Sequence, residues 1–300
     1  MQPANGNFLA PVSTRQIVTR ASQVNNLLLR LYHYLPASLM NRGEAQQKHH
    51  AVKEIAEASA NLLDQGLLQE LVQRQRRMLE SLKPVGYEPV NGIRLRLTSD
   101  LTCGLSTPSL LERGTTLLRP HGVPIIPGSS VKGAVAAHLA EVLAGKLHLS
   151  DADRDGALRE AGLLELFGYA AEGGERGKAG KAIFLDAVPE AAKLRLDITT
   201  VHYKRYYEGK TEAATGFEAP VPLPFLAVGE GSVFWFPAAI ESGFCLNIPP
   251  ESASRLQQFE IQTFNRPSGF LAEALASTGK YRGFGAQTNV GFGRFSRFRP

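Results

Sequence analysis

The first part of the chain has the hydrophobic pattern of helices. Apolar residues recur there with a period of three to four, for example at Ile55, Leu62, Leu71, Met78 and Leu82. Pro84, Gly86 and Pro89 then interrupt the pattern. We predict helices between about Ser13 and Lys83 and a domain boundary near residue 88. Residues 1–88 would form an N-terminal helical region and residues 89–300 the main domain.

After this boundary the pattern changes to strict alternation. Ile93, Leu95 and Leu97 alternate with Arg94, Arg96 and Thr98, which predicts a strand with two arginines on its wet face. The next segment returns to a helical period. Its apolar residues recur every fourth position, at Val131, Val135, Leu139 and Leu143. We expect Ser129 or Ser130 to cap this helix.

Further strands and helices follow to the end of the chain. A polar segment, 151–166, and a segment within 250–278 are predicted helices, whereas 182–188, 194–199, 222–228, 232–240 and 294–298 are predicted strands. The order strand, helix, strands, helix, strand is typical of split βαβ units. The predicted class is therefore α+β with an antiparallel sheet, preceded by the helical region.

Composition narrows the range of partners and cellular locations. The 300 residues are 43% hydrophobic with a net charge of +5, which suits a globular protein with a polyanionic partner. The two cysteines, Cys103 and Cys245, have no metal or disulfide spacing, and we expect both to be buried thiols. No segment has the pattern of a signal peptide or a membrane span, so we expect a cytoplasmic protein. We expect neither a cofactor nor a metal.

The helix start at residues 126–133 has the pattern of a phosphate-binding turn. A Pro-Gly turn leads to Ser129, Ser130 and Lys132, whose amides, hydroxyls and charge would form an anion site. An ordinary capped helix is the alternative interpretation. Nucleotide hydrolysis is excluded because Ala134 stands where a P-loop needs lysine.

A second candidate site is the glycine-rich segment 283–293. Gly283, Gly285, Gly291 and Gly293 permit positive φ angles and a close approach of the backbone to an anion, and two arginines, Arg282 and Arg294, bracket the segment. The interspersed phenylalanines either stack on bases or pack beneath the loop. A separate basic cluster at Arg74, Arg76 and Arg77 either contacts RNA or forms a solvated helix face.

The two motifs together, in this order, resemble the RAMP superfamily of CRISPR proteins. Within it, the chain is similar to the family of the sixth subunit of type III-B Cmr effector complexes over about residues 91–298. The segments that carry the likeness are 112–116, 126–133, 184–189, 197–207, 222–226 and 283–295.

The resemblance implies a ferredoxin-like (RRM-type) RAMP fold and a non-catalytic, RNA-binding role. The subunit would hold crRNA near its 3' end beside a backbone-type RAMP neighbour and the first Cmr subunit, with target RNA as a further candidate ligand. Target cleavage in the family belongs to another subunit that uses an aspartate. The corresponding stretch here offers Asp100, immediately after the strand, and otherwise Ser106, Thr107, Ser109 and Glu112, and we assign none of them a catalytic role.

Histidine supports an alternative, because metal-independent RNA cleavage commonly uses this side chain as an acid or base. His202, near Asp197 and several tyrosines, is the best candidate, and His33 is the second. We favour RNA contact for His202, but a repeat-cleaving endoribonuclease of the same superfamily and a pure protein-interaction module both remain open. The predicted RNA-binding residues are Ser129, Ser130, Lys132, His202, Arg282, Gly283, Gly285, Gly291, Gly293 and Arg294.

Overall fold

The computed structural model describes residues 24–35, 45–107, 109, 111, 113–170, 177–201, 206, 209–214 and 221–298. Its contacts divide into two compact units, each discontinuous in sequence. The first comprises Met1–Asp64, Thr102–Pro124 and Lys193–Gly229, and the second Gln65–Leu101, Ile125–Ala192 and Glu230–Pro300. The predicted domain boundary near residue 88 stays a prediction.

The first unit combines short helices with two β-hairpins. Its helices are α1 (Leu27–Tyr32), α2 (Ala45–Glu57) and α3 (Ser59–Leu62), and its strands are β2 (Leu117–Leu118), β3 (Val123–Pro124), β8 (Leu194–Val201) and β9 (Val221–Val228). Strand β8 pairs with β9, and α2 packs on this hairpin. Ala51, Val52 and Ile55 form the buried face of α2. The helices predicted in this part of the chain are confirmed where the structure describes it.

The second unit contains the remaining elements. Its helices are α4 (Gln65–Glu80), α5 (Gly128–Ala144), α6 (Asp151–Glu160), α7 (Leu164–Phe167), α8 (Pro250–Gln257) and α9 (Pro267–Tyr281). Its strands are β1 (Tyr87–Leu97), β4 (Gly168–Tyr169), β5 (Lys178–Ala179), β6 (Ala182–Phe184), β7 (Val188–Ala191), β10 (Val233–Glu241) and β11 (Phe295–Arg297).

An antiparallel sheet is the centre of the second unit. Its strand order is β11-β1-β10-β6, and β7 also pairs with β10. The predicted strand 182–188 is divided into β6 and β7, because the pairing with β10 is interrupted between them and Ala187 pairs instead with Ile126, just before α5. Mixed helices and antiparallel sheet are confirmed as the architecture.

Each face of this sheet packs against a helix. Leu95 and Leu97 of β1 and Phe234 and Phe236 of β10 are buried on the face that α9 covers. The opposite face, which includes Trp235, packs against α4. Burial of one such large apolar side chain stabilises the fold by roughly 1.5–3 kcal/mol. The predicted alternation of β1 is confirmed, since Arg96 is exposed between its buried neighbours.

The start of α5 differs from its prediction. The helix begins at Gly128 after Pro127, and neither Ser129 nor Ser130 caps it with a side-chain hydrogen bond. The Asp186 carboxylate instead accepts a hydrogen bond from the Gly128 amide at 2.8 Å. The predicted serine cap is therefore wrong, because a residue distant in sequence supplies the acceptor. The predicted apolar face of α5 is confirmed as buried.

The prediction that both cysteines are buried is also wrong. Cys103 is half-buried, and Cys245 is exposed in the segment that follows β10. Both are free thiols. In the described part of the chain, no helix is long and apolar enough to cross a membrane.

Candidate nucleic-acid interface

The α5 start presents less positive potential than its sequence motif predicts. Because the Asp186 carboxylate binds the Gly128 amide, a negative charge already occupies this end of the helix. Gly128 is needed for packing, since a Cβ there would lie 2.3 Å from the Phe184 carbonyl oxygen. Ser129 and Ser130 are exposed, and Lys132 is half-buried in the first turn. These three side chains stay candidates for RNA contact.

The glycine-rich loop has the predicted backbone conformation but a different use for its amides. Gly283, Gly285, Gly291 and Gly293 all have positive φ angles, between +67° and +99°. The Phe284 amide donates to the Gly293 carbonyl at 2.9 Å, and the Gly293 amide donates to the Asp100 carbonyl at 2.8 Å.

The amides of Gly283 and Gly291 are also bonded inside the protein, to the Thr278 and Thr288 carbonyls. The prediction that the amides of Gly283, Gly291 and Gly293 face an anion is therefore wrong. These glycines instead let two backbone segments pass each other closely: a Cβ on Gly293 would lie 1.9 Å from the Phe284 carbonyl oxygen. Gly285 is exposed at the tip of the loop.

An aromatic cluster supports the loop from below. Phe284 and Phe295 are each 1% exposed and lie within 6 Å, centroid to centroid, of Phe236. Of the two interpretations of the loop phenylalanines, packing is confirmed for these two rings. They pack both ends of the loop against the sheet, and thereby position the two arginines that bracket it.

A cleft opens beside this loop, and we call it the basic cleft. Its volume is about 860 Å³, and it lies among the second half of α5, helix α8, the end of α9 and the glycine-rich loop. The side chains and glycine that line it are His138, Glu141, Val142, Gly145, Lys146, Leu147, His148, Arg255, Gln258, Phe259, Tyr281, Arg282, Thr288, Asn289 and Arg294.

Positive charge dominates the lining of the basic cleft. Lys146, Arg255, Arg282 and Arg294 face a single acidic residue of the lining, Glu141. Arg282 forms an ion pair with Glu141, and Arg255 donates to the Leu143 carbonyl at the end of α5. These bonds hold the two guanidinium groups at the wall of the cleft.

Arg294 has one nitrogen that is buried without a partner among the described residues. Its Nη2 donates to the Thr288 carbonyl at 3.2 Å, whereas its Nη1 is buried without a hydrogen-bond partner in the described part of the chain. Burial, and next the positive charge of Arg282, lower the pKa of the Arg294 guanidinium, which nevertheless stays protonated because an arginine starts so far above neutrality. A half-buried cation with a spare donor favours binding of an anion.

His138 lines the cleft but is not among the predicted RNA-binding residues. Its Nε2 lies 2.8 Å from the Ser277 hydroxyl, and its ring stacks at 6.3 Å from that of Tyr281. Burial, followed by the charge of Arg282, lowers the pKa of His138 to about 4. The imidazole is therefore neutral at pH 7. Its position on the apolar face of α5 was the available signal, because a histidine there must be buried.

The structure brings together only part of the predicted site. Arg282, Arg294 and the glycine-rich loop lie at one end of α5, beside Glu141, whereas Ser129, Ser130 and Lys132 lie at the other end and do not line the cleft. Glu141 lies 13 residues after Gly128, which is about 20 Å along the helix. The two predicted turns therefore form two separate sites on this helix. His202 lies outside the described residues.

Comparison with known proteins assigns the family. The family model described as the RAMP superfamily matches residues 94–296, which include both α5 and the glycine-rich loop. The chain belongs to the RAMP superfamily. The basic cleft of this RAMP protein thus lies wholly within the part that defines the family.

A curated relative and solved structures agree with this assignment. The CRISPR system Cmr subunit Cmr6 of Pyrococcus furiosus (strain ATCC 43587 / DSM 3638 / JCM 8422 / Vc1) is 30% identical over 181 residues, covering 45% of this RAMP chain and 53% of the relative. The chain therefore spans about half the length of that protein. The predicted resemblance to the RAMP superfamily and to the sixth Cmr subunit is confirmed.

Two structures are similar to this RAMP chain. A chain of the cryo-EM structure of the type III-B Cmr-beta bound to cognate target RNA has a TM-score of 0.54 and 19% identity, covering 86% of this chain and 76% of that one. The crystal structure of Cmr6 from Pyrococcus furiosus has a TM-score of 0.37 and 22% identity, covering 71% of this chain and 99% of that one. The first likeness shows a shared RAMP-like fold.

Proposed function

We propose that this RAMP chain is a non-catalytic, RNA-binding structural subunit of a type III-B CRISPR (Cmr) effector complex. The basic cleft beside the glycine-rich loop is the observation that carries the proposal. Four lysine and arginine side chains line it against one carboxylate, within the segment that matches the family. Lysine and arginine contacts to phosphates provide most of the sequence-independent affinity for nucleic acids.

The sheet topology supports a ferredoxin-like assignment for the second unit. Strand β1, helix α5, strands β6 and β7, strand β10, helix α9 and strand β11 follow one another along the chain. The corresponding strands lie in the spatial order fourth, first, third and second. This βαββαβ arrangement is that of the RRM-type fold that we propose.

The proposed partners are crRNA near its 3' end, target RNA, a backbone-type RAMP neighbour and the first Cmr subunit. The names of the similar proteins support this choice: one is a Cmr subunit, and another belongs to a Cmr complex bound to target RNA. In this role, the cleft arginines would hold phosphates while the rigid loop fixes their positions.

Two observations support a structural role over a catalytic one. His138, the histidine held deepest in the cleft, is neutral at pH 7 and its Nε2 is bonded to Ser277, so it lacks the imidazolium form that donates a proton to a leaving group. The Asp100 carboxylate accepts a hydrogen bond from the Glu230 amide at 2.7 Å, which gives it a structural task. Of the two histidines proposed for the endoribonuclease alternative, His33 is exposed next to α1 and His202 lies outside the described residues.

Binding of crRNA to the purified chain tests the proposal. We expect the double variant Lys146→Ala/Arg255→Ala to lower the affinity about tenfold in a fluorescence anisotropy titration. The salt slope should fall by about 1.4, because two phosphate contacts of a single strand are lost. Arg159→Ala, an exposed change on α6, is the matched control. Equal affinity and equal salt slope for the double variant and the wild type would refute cleft binding.

The non-catalytic part of the proposal has its own assay. The wild-type chain should leave repeat RNA intact both in EDTA and with Mg²⁺, as judged on a denaturing gel. Specific cleavage that a His33→Ala or His202→Ala change abolishes would establish the endoribonuclease alternative instead. Co-purification with neighbouring subunits, followed by sequencing of the bound RNA, would identify the partners.

A further inference from the structure

A second groove lies on the face of the sheet that α4 covers, and we call it the α4 groove. Its volume is about 410 Å³, and its lining shares no residue with the basic cleft. The residues that line it are Gln65, Gln69, Val72, Gln73, Arg76, Arg94, Glu190, Ala191, Val233 and Phe298. The groove belongs to the second unit alone.

Phe298, Arg94 and Arg76 give the α4 groove flat aromatic and guanidinium surfaces, and Arg96 and the buried Trp235 ring lie behind them. The guanidinium carbons of Arg94 and Arg96 lie 5.4 and 4.5 Å from the centre of the Phe298 ring. Arg76 of α4 lies 5.7 Å from the centre of the Trp235 ring. Unpaired bases stack on such rings and on arginine planes.

An ion pair fixes the orientation of the central arginine. The Arg94 Nε donates to a carboxylate oxygen of Glu190 at 2.5 Å, and the Glu190 side chain is only 13% exposed. The Phe298 amide donates to the Arg94 carbonyl at 3.0 Å, so the backbone of Phe298 is bonded to strand β1, which carries Arg94. The stacking surface is therefore preorganised, which reduces the entropy that a ligand must lose on binding.

The wall contributed by α4 carries three carboxamides. Gln65, Gln69 and Gln73 follow each other at four-residue intervals and thus lie on one face of the helix. Gln65 donates to the Glu190 carbonyl at 2.9 Å, and Gln69 and Gln73 are exposed along the groove. A carboxamide both donates and accepts, which matches the edge of an unpaired base.

We propose that the α4 groove binds one or two unpaired nucleotides of single-stranded RNA by stacking and base-edge hydrogen bonds. It is a second contact on the opposite face of the sheet from α9. Two arginines of the lining, Arg76 and Arg94, and Arg96, which stacks on Phe298, outnumber the one carboxylate of Glu190 and favour an anionic ligand. The ring surfaces and carboxamides select a nucleotide over an acidic peptide. The inference rests on the proposed RNA-binding function but does not depend on the basic cleft.

The test compares RNA with and without bases. Affinity for a single-stranded 12-nucleotide RNA and for an abasic RNA of the same length is measured by anisotropy for Phe298→Ala, Gln69→Ala/Gln73→Ala and Arg76→Ala. Arg77→Ala is the matched control, because this exposed neighbour of Arg76 does not line the groove. We expect about tenfold weaker binding of the base-containing RNA by Phe298→Ala, with unchanged binding of the abasic RNA.

Further variants keep the result interpretable. Phe298→Trp retains a stacking surface and should bind like the wild type, and the exposed glutamine pair should lower affinity without altering the melting temperature. Equal losses for both RNAs with Phe298→Ala or the glutamine pair, or no loss in any groove variant, would overturn the inference; Arg76→Ala removes a charge and should weaken both RNAs. If the variants weaken only assembly with other Cmr subunits, the groove is a protein-docking site and the inference is likewise overturned.

The cleft variants distinguish this failure from failure of the proposed function. Lys146→Ala/Arg255→Ala should weaken binding of both RNAs, because the cleft contacts phosphates. If only the cleft variants lose RNA affinity, the α4 groove is not an RNA-binding site, but the proposed function still holds. No loss with either set would remove RNA binding by both surfaces.

Discussion

The two ends of helix α5 carry similar sequence signals but have different electrostatics. At its start, a Pro-Gly turn and two serines lead to an amide that the Asp186 carboxylate already binds. At its other end, four cations surround one carboxylate in the cleft beside the glycine-rich loop. Glycine and serine patterns alone therefore do not locate an anion site. What distinguishes the two ends is how far the protein's own carboxylates offset the positive charge.

Among variants at the two ends of α5, glycine substitutions should change stability the most. Gly293→Ala places a Cβ 1.9 Å from the Phe284 carbonyl in a left-handed conformation, so we expect a loss of at least about 3 kcal/mol of stability, or failure to fold. Gly133→Ala in α5 meets no atom within 4 Å and should stabilise the protein by roughly 0.5–1 kcal/mol. Urea denaturation measures both. Similar stabilities for the two variants would contradict the packing role of the loop glycine.

Acid should weaken the cleft end of α5 through His138. The folded-state pKa of about 4 lies below the ordinary value of 6.5, so the unfolded chain takes up the proton first. Stability is then lost as pH falls from 6.5 toward 4, by up to about 3 kcal/mol. Unfolding free energies at pH 7.5 and 4.5 measure this loss. His138→Gln should reduce it, and His148→Ala, a change at an exposed histidine of the same cleft, should not.

The Asp186 cap should give the smallest effect. Asp186→Ala removes the acceptor for the Gly128 amide and should cost about 1 kcal/mol of stability. Removal of this negative charge should raise affinity for RNA slightly, by less than about threefold, because the start of α5 lies away from the cleft. A thermal melt and an RNA titration measure the two effects. A large gain in affinity would mean that the α5 start is a principal RNA site.

Local patterns predicted the elements of the fold well. Examples are the period-two pattern of β1, the four-residue period of α5 and the later strands. In each, the spacing of apolar residues along the chain determines which side chains are buried. The bend that divides 182–188 into β6 and β7 was not predictable in this way. It arises because Ala187 pairs with Ile126, just before α5, while the Asp186 carboxylate binds the Gly128 amide at the helix start.

The candidate site was predictable only in part. The pairing of Arg282 and Arg294 with the glycine-rich loop could be predicted because they are adjacent in sequence. Lys146, Arg255 and His138 join them through packing between helices distant in sequence. The internal bonds of the glycine amides also depend on which backbone segments meet. Sequence patterns report the conformations that glycine permits, but not the groups that its amide contacts.

Ultraviolet cross-linking of the chain to crRNA, with mass spectrometry of the cross-linked peptides, tests the central claim most directly. We predict cross-links within residues 145–148, 255–259 and 281–294, which border the basic cleft. Efficient cross-linking confined to the α5 start, with none in these three segments, would contradict RNA binding in the basic cleft.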